Sequence, residues 1–146
     1  MEQSRKHLKI ISIVVLVLTV STILSLITGL VELNGATIPD GAPANTLMIT
    51  KIVLMVVSAV LLLPQIYIGF KGIKVANDPD SSKAHIVVAF ILFVLSIVDL
   101  VSGIAGGVET GFSKEIVITT LSVVVDVLVY ADYIKYARLV AKETNQ

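Results

Sequence analysis

Two carboxylates stand where almost everything around them is apolar. Asp99 lies in the run Ile97-Val98-Asp99-Leu100-Val101, and Asp126 in Val124-Val125-Asp126-Val127-Leu128. A carboxylate at the centre of a bilayer costs about 2.5–3.5 kcal/mol on insertion scales, so it needs a partner or a task. Three protonation states are open. Both acids are neutral, or they share one proton as a coupled pair, or one forms an ion pair with Lys51. The chemistry differs accordingly: a proton or cation site, a neutral acid hydrogen-bonded to Ser, Thr or Tyr between helices, or a charge pair with another membrane subunit. Lys51 and Gln65 complete this intramembrane polar set. The long stem of Lys51 reaches toward Asp99. Gln65 follows Pro64, and a proline inside an apolar helix frees a carbonyl one turn back and permits a kink.

The composition sets the context. Of 146 residues, 55% are hydrophobic and 15% charged, against about 25% charged in soluble domains. There is no cysteine, and 11 basic side chains balance 11 acidic ones. These counts exclude a disulfide framework, a thiolate metal site, a cysteine nucleophile and a basic nucleic-acid protein. His7 and His85 without a matching carboxylate cluster make a poor metal site, so no metal or cofactor is expected. No nucleotide loop, zinc motif or serine elbow is present, and no enzyme is expected.

The elements that must position the polar set follow from length. Crossing about 30 Å of hydrocarbon takes about 20 apolar residues of helix. Stretches at 10–33, 47–70, 84–108 and 116–137 qualify. The expected fold is therefore all-α: a four-transmembrane-helix bundle forming one domain over 1–146. The 32–46 gap, with Asn34, Gly35, Pro39, Asp40, Gly41, Pro43 and Asn45, reads as an irregular turn. Arg5, Lys6 and Lys9 precede the first stretch as in a signal peptide. Its apolar run exceeds the usual length of about 7–15 residues and no A-x-A site follows, so it reads as a retained helix. Asn45 or Thr46, then Asp80, Ser81 or Ser82, and finally Ser113 are the expected caps of the second, third and fourth helices.

Orientation follows from the basic residues. Arg5, Lys6, Lys9, Lys71, Lys74, Lys83, Lys135, Arg138 and Lys142 fall on one side, and only Lys51 and Lys114 on the other. The positive-inside rule then puts both termini and the middle loop in the cytoplasm, most simply across a plasma (cytoplasmic) membrane. Tyr67, Tyr130, Tyr133 and Tyr136 gather near the same ends and read as interfacial anchors. Lys135, Arg138 and Lys142 share a face of the tail that would attract anionic lipid.

Polar and small residues form one stripe per helix, such as Lys51, Ser58, Gln65 and Gly72 at intervals of seven. Lipid cannot satisfy such groups, so the stripes should face one another or another protein. Ser21-x-x-x-Ser25-x-x-x-Gly29 and Gly103-x-x-x-Gly107 are small-residue patterns expected to pack helices together. The two hairpins also resemble each other. Ser25-Leu26-Ile27-Thr28-Gly29 matches Asp99-Leu100-Val101-Ser102-Gly103, as in a parallel repeat about the membrane normal. Leu63-Pro64-Gln65-Ile66 resembles the dipeptide of PQ-loop transporters, whose units have three helices. Nothing else in this chain follows their pattern.

Two functions fit these features. One is an accessory or scaffolding subunit acting through helix–helix interaction. The other is a small dimeric transporter or channel whose intramembrane carboxylates bind a proton or cation. The partners implied are the lipid bilayer and a second copy or another membrane protein, with no nucleic acid.

Overall fold

The computed structural model describes residues 2–35, 41, 43–80 and 83–144. It is all-helical, with α1 (Glu2–Asn34), α2 (Thr46–Asn77), α3 (Ala84–Thr110) and α4 (Lys114–Thr144). All four are long and apolar enough to cross a membrane. α1 pairs with α2 and α3 with α4 as hairpins, and α1 on α4 and α2 on α3 close the ring.

Three helices outrun their apolar stretches. α1 begins at Glu2 rather than 10, α2 runs to Asn77 rather than 70, and α4 to Thr144 rather than 137. Hydropathy ends where charged residues begin, but Glu, Gln, Lys, Arg and Ala remain good helix formers. The extensions also have an inner face, formed by Leu8, Val75, Ala76, Val140 and Ala141, all buried. At 1.5 Å per residue, helices of 31 to 33 residues are about 46–50 Å long, well beyond a hydrocarbon core of about 30 Å.

The core is confined to one end. Call the end with both chain termini the near end, and the end with the two other connections the far end. The buried side chains are Leu8 to Thr19 in α1, Leu62 to Ala76 in α2, His85 to Ser96 in α3 and Val129 to Ala141 in α4. Among the described residues of 20–61 and 97–128, only Gly107 is buried. The bundle is clasped at the near end and loosely packed at the far end.

Close approach explains the clasp. A Cβ on Gly72 would lie 2.0 Å from Ser12 Oγ and 2.8 Å from Tyr133 Cε2, so only glycine lets α1 and α4 meet α2 there. Seven residues along each helix, Thr19 Oγ1 lies 3.3 Å from Gln65 Oε1. The α2 stripe thus meets Ser12 and Thr19 of α1 at heptad spacing, the geometry of left-handed antiparallel packing. Arg5 adds a lock that composition does not reveal. Its Nε donates to Ala76 O at 2.7 Å and its Nη2 to Asn77 O at 2.8 Å. A guanidinium thereby satisfies the last carbonyls of α2 where the helix dipole is negative.

The helix ends differ in part from the sequence expectation. Ile116 N–H donates to Ser113 Oγ at 3.3 Å, so Ser113 caps α4 as expected. Asn45 precedes α2 but makes no side-chain cap bond. The residue at the α3 cap position is Lys83, also without a cap bond. Asp80, an expected cap, instead pairs with Lys71 at 3.1 Å, and Ser81 and Ser82 lie outside the described residues. At the other end of α3, Gly111 takes φ +90° and its N–H donates to Gly107 O at 2.9 Å.

Candidate functional site

The two hairpins part above the clasp and leave a crevice between α1 and α4 of about 330 Å³. Its polar lining is Ser21, Thr22 and Ser25 from α1, with Ser122 and Asp126 from α4. Leu18 and Val125 complete the walls. The spacings i, i+3, i+4, i+7 on α1 and i, i+3, i+4 on α4 each describe one helix face. Helical periodicity alone therefore brings these groups to one line.

Two of its four hydroxyls are committed to their own helices. Thr22 Oγ1 donates to Leu18 O and Ser122 Oγ to Ile118 O, both at 3.0 Å. A hydroxyl has one proton, so each presents only lone pairs to the crevice. Asp126, half-buried, adds a carboxyl group. The Asp126 carboxylate makes the chemical complement of the crevice a donor-rich or cationic group. Asp99 itself is exposed. Asp99 and Asp126 lie about 17 and 18 Å from the far ends of their helices, so they are level.

Below the crevice the inward face of α4 continues as Asp126, Tyr130 and Tyr133, spaced four and three residues apart. Tyr130 is 3% exposed and Tyr133 fully buried. The Tyr133 hydroxyl donates to Ile68 O at 2.9 Å and lies 2.8 Å from His85 Nδ1. Its single proton goes to the carbonyl, so His85 must carry a proton on Nδ1 and donate to the tyrosine oxygen. One hydroxyl thereby joins α2, α3 and α4 at the centre of the clasp. Tyr136 stacks on His7 at 4.9 Å between ring centroids.

The structure separates the sequence-derived candidates. Asp99 and Asp126 stand level on neighbouring helices, Asp126 lining the crevice and Asp99 exposed on α3. Gln65 does not join them; it faces Thr19 within the first hairpin. Lys51 does not reach Asp99 either, because its ammonium donates to Asn34 Oδ1 across the far end of that hairpin. The helix-packing set divides as well. Ser21 and Ser25 are exposed along the crevice rather than packed on a helix. Gly29 makes an ordinary approach of 3.8 Å to Leu54, and Gly103 sits 3.2 Å from Thr120 Oγ1, both measured from an added Cβ. Gly107 is buried by Phe112, which folds back over its own helix end, so its smallness serves a turn and not a helix seam.

Two of the expected tyrosine anchors are core residues instead. Tyr67 is 41% exposed, but Tyr130 and Tyr133 belong to the interior. Their register with Ala137 and Val140 on one α4 face was the signal that separates core from interface. His85 and Arg5 had no such signal, since their partners are a hydroxyl and two carbonyls from distant segments. Among the described residues no group of three His, Cys, Asp or Glu side chains forms a metal site. No family model, curated protein or solved structure matches this chain.

Proposed function

We propose that the chain is a membrane-embedded interaction subunit, with both termini in the cytoplasm, whose loosely packed far half is completed by a partner's transmembrane helix. The carrying observation is Asp99, an exposed carboxylate midway along an apolar helix and level with the crevice that holds Asp126. Lipid supplies no donor to such a group. A partner helix bearing a Lys, Arg or side-chain amide at that depth would satisfy both carboxylates. Native mass spectrometry after gentle extraction tests this. A stoichiometric second polypeptide is expected, reduced about tenfold in Asp99→Asn/Asp126→Asn. Normal assembly of that variant together with a lost transport activity refutes the proposal.

The carboxyl group in the crevice favours one second reading, a small dimeric transporter that loads a cation or proton at Asp126. Liposomes test it directly: flux driven by a pH or cation gradient should vanish in Asp126→Asn. The proposed topology has its own test, made simple by the lack of native cysteines. An impermeant thiol reagent applied to intact cells should label Ser113→Cys and spare Ser4→Cys until the membrane is opened.

A further inference from the structure

At the near end, far from the crevice, the start of α3 and the last turns of α4 enclose a groove of about 440 Å³. Lys83, Arg138 and Lys142 rim it, while Ile86, Val87 and Ala141 form its floor, and no acid is among its lining residues. We infer that this groove binds one anionic phospholipid, with the headgroup phosphate held by the three cations and an acyl chain laid along α3. The inference rests on the chain's residence in a bilayer.

Two observations point to an anion. Arg138 and Lys142 suit the negative end of the α4 dipole, but Lys83 stands at the cap position of α3, where the dipole is already positive. The first turn of α3 holds no acid to offset it. Asp80 is paired with Lys71, and Glu143 Oε1 accepts from Ser4 Oγ at 3.2 Å. The positive charge therefore converges from three side chains and one helix terminus, which favours a phosphate.

A third observation makes the occupant a lipid. The groove opens onto Val87, Phe90, Ile91 and Val94, exposed at i, i+3, i+4 and i+7. This is a continuous apolar track running from the cations toward the membrane centre. A free phosphate would make no use of it.

The test is native mass spectrometry of delipidated full-length protein in detergent, titrated with phosphatidylglycerol or phosphatidylcholine of identical chains. Wild type should bind the anionic lipid at least tenfold more tightly. Arg138→Gln/Lys142→Gln should weaken that binding roughly 30-fold, from about 1 kcal/mol of charge attraction per basic residue. Lys6→Gln/Lys9→Gln, which removes two charges elsewhere at the near end, should change it less than threefold. Val87→Ser keeps every cation and should weaken binding about tenfold through the acyl track. An equal loss in the Lys6/Lys9 variant means diffuse attraction and overturns the groove. Full competition by millimolar inorganic phosphate, or no loss in Val87→Ser, overturns the lipid. Failure of membrane residence itself reads differently, as protein released from membranes by an alkaline wash.

Discussion

Replacing Gly72 by alanine should loosen the clasp. The added methyl would sit 2.0 Å from Ser12 Oγ, 2.8 Å from Tyr133 Cε2 and 3.0 Å from Ser12 Cβ. Neither neighbour can move aside. Ser12 is fully buried and donates to Leu8 O at 2.7 Å, while Tyr133 is held by Ile68 and His85. The helices must therefore separate, at a cost of about 1–3 kcal/mol for overpacking. Alanine recovers up to about 1 kcal/mol through helix propensity. With full recovery the mid-range cost of about 2 kcal/mol leaves a net destabilisation of about 1 kcal/mol, or a fall of about 3–4 °C in Tm for a chain of this size. Thermal unfolding in mild detergent, followed by circular dichroism, measures it. Gly106→Ala is the control: nothing lies within 4 Å of its added Cβ, so propensity should act alone and raise Tm slightly. Ser12→Ala removes the nearest atom and should restore part of the Gly72→Ala loss. A Gly72→Ala protein as stable as wild type would refute the close approach of α1, α2 and α4.

Other outcomes follow from the same contacts. Tyr133→Phe leaves the His85 Nδ1 proton without its acceptor and should cost about 1–3 kcal/mol, whereas Tyr67→Phe, on an exposed ring, should stay within about 0.5 kcal/mol. Arg5→Gln should speed amide exchange over Lys74 to Asp78 before it affects the rest of α2, since those carbonyls lose their charge-assisted donors. Gly111→Ala forces a side chain into φ +90° and should destabilise the second hairpin by about 1–3 kcal/mol, measured as a lowered Tm.

Much of the architecture was open to sequence reasoning because apolar run length is a nearly direct measure of a helix that can cross a bilayer. The 10–33 and 84–108 stretches lie wholly within α1 and α3. The Asp78-Pro79 turn signal and the helical spacing of Lys135, Arg138 and Lys142 carry α2 and α4 past their apolar runs; what the sequence reading did not show was the start of α1 at Glu2, because helix propensity there is independent of apolarity. The level placement of Asp99 and Asp126 was legible by counting rise per residue along antiparallel neighbours. The placements of Lys51 and Gln65 were not, since depth says nothing of azimuth. Both turn toward α1, and only the glycine contact at Gly72 fixes that rotation. The exposed position of Ser21 and Ser25 had the same origin: a small-residue spacing marks a face that permits close approach without stating that a helix comes.

The confinement of the core to the near end bears on how the chain is made. Ser4 meets Glu143, Gly72 meets Tyr133, and the buried face of α4 begins only at Val129. A ribosome that has delivered three helices has yet to supply the residues that close the interior. Contacts of α2 with α3 can form before α4 is made, but the clasp around Tyr133 needs α4, so its closure depends on contacts distant in sequence. During that interval the faces of α1 and α2 that Tyr133 covers stand open.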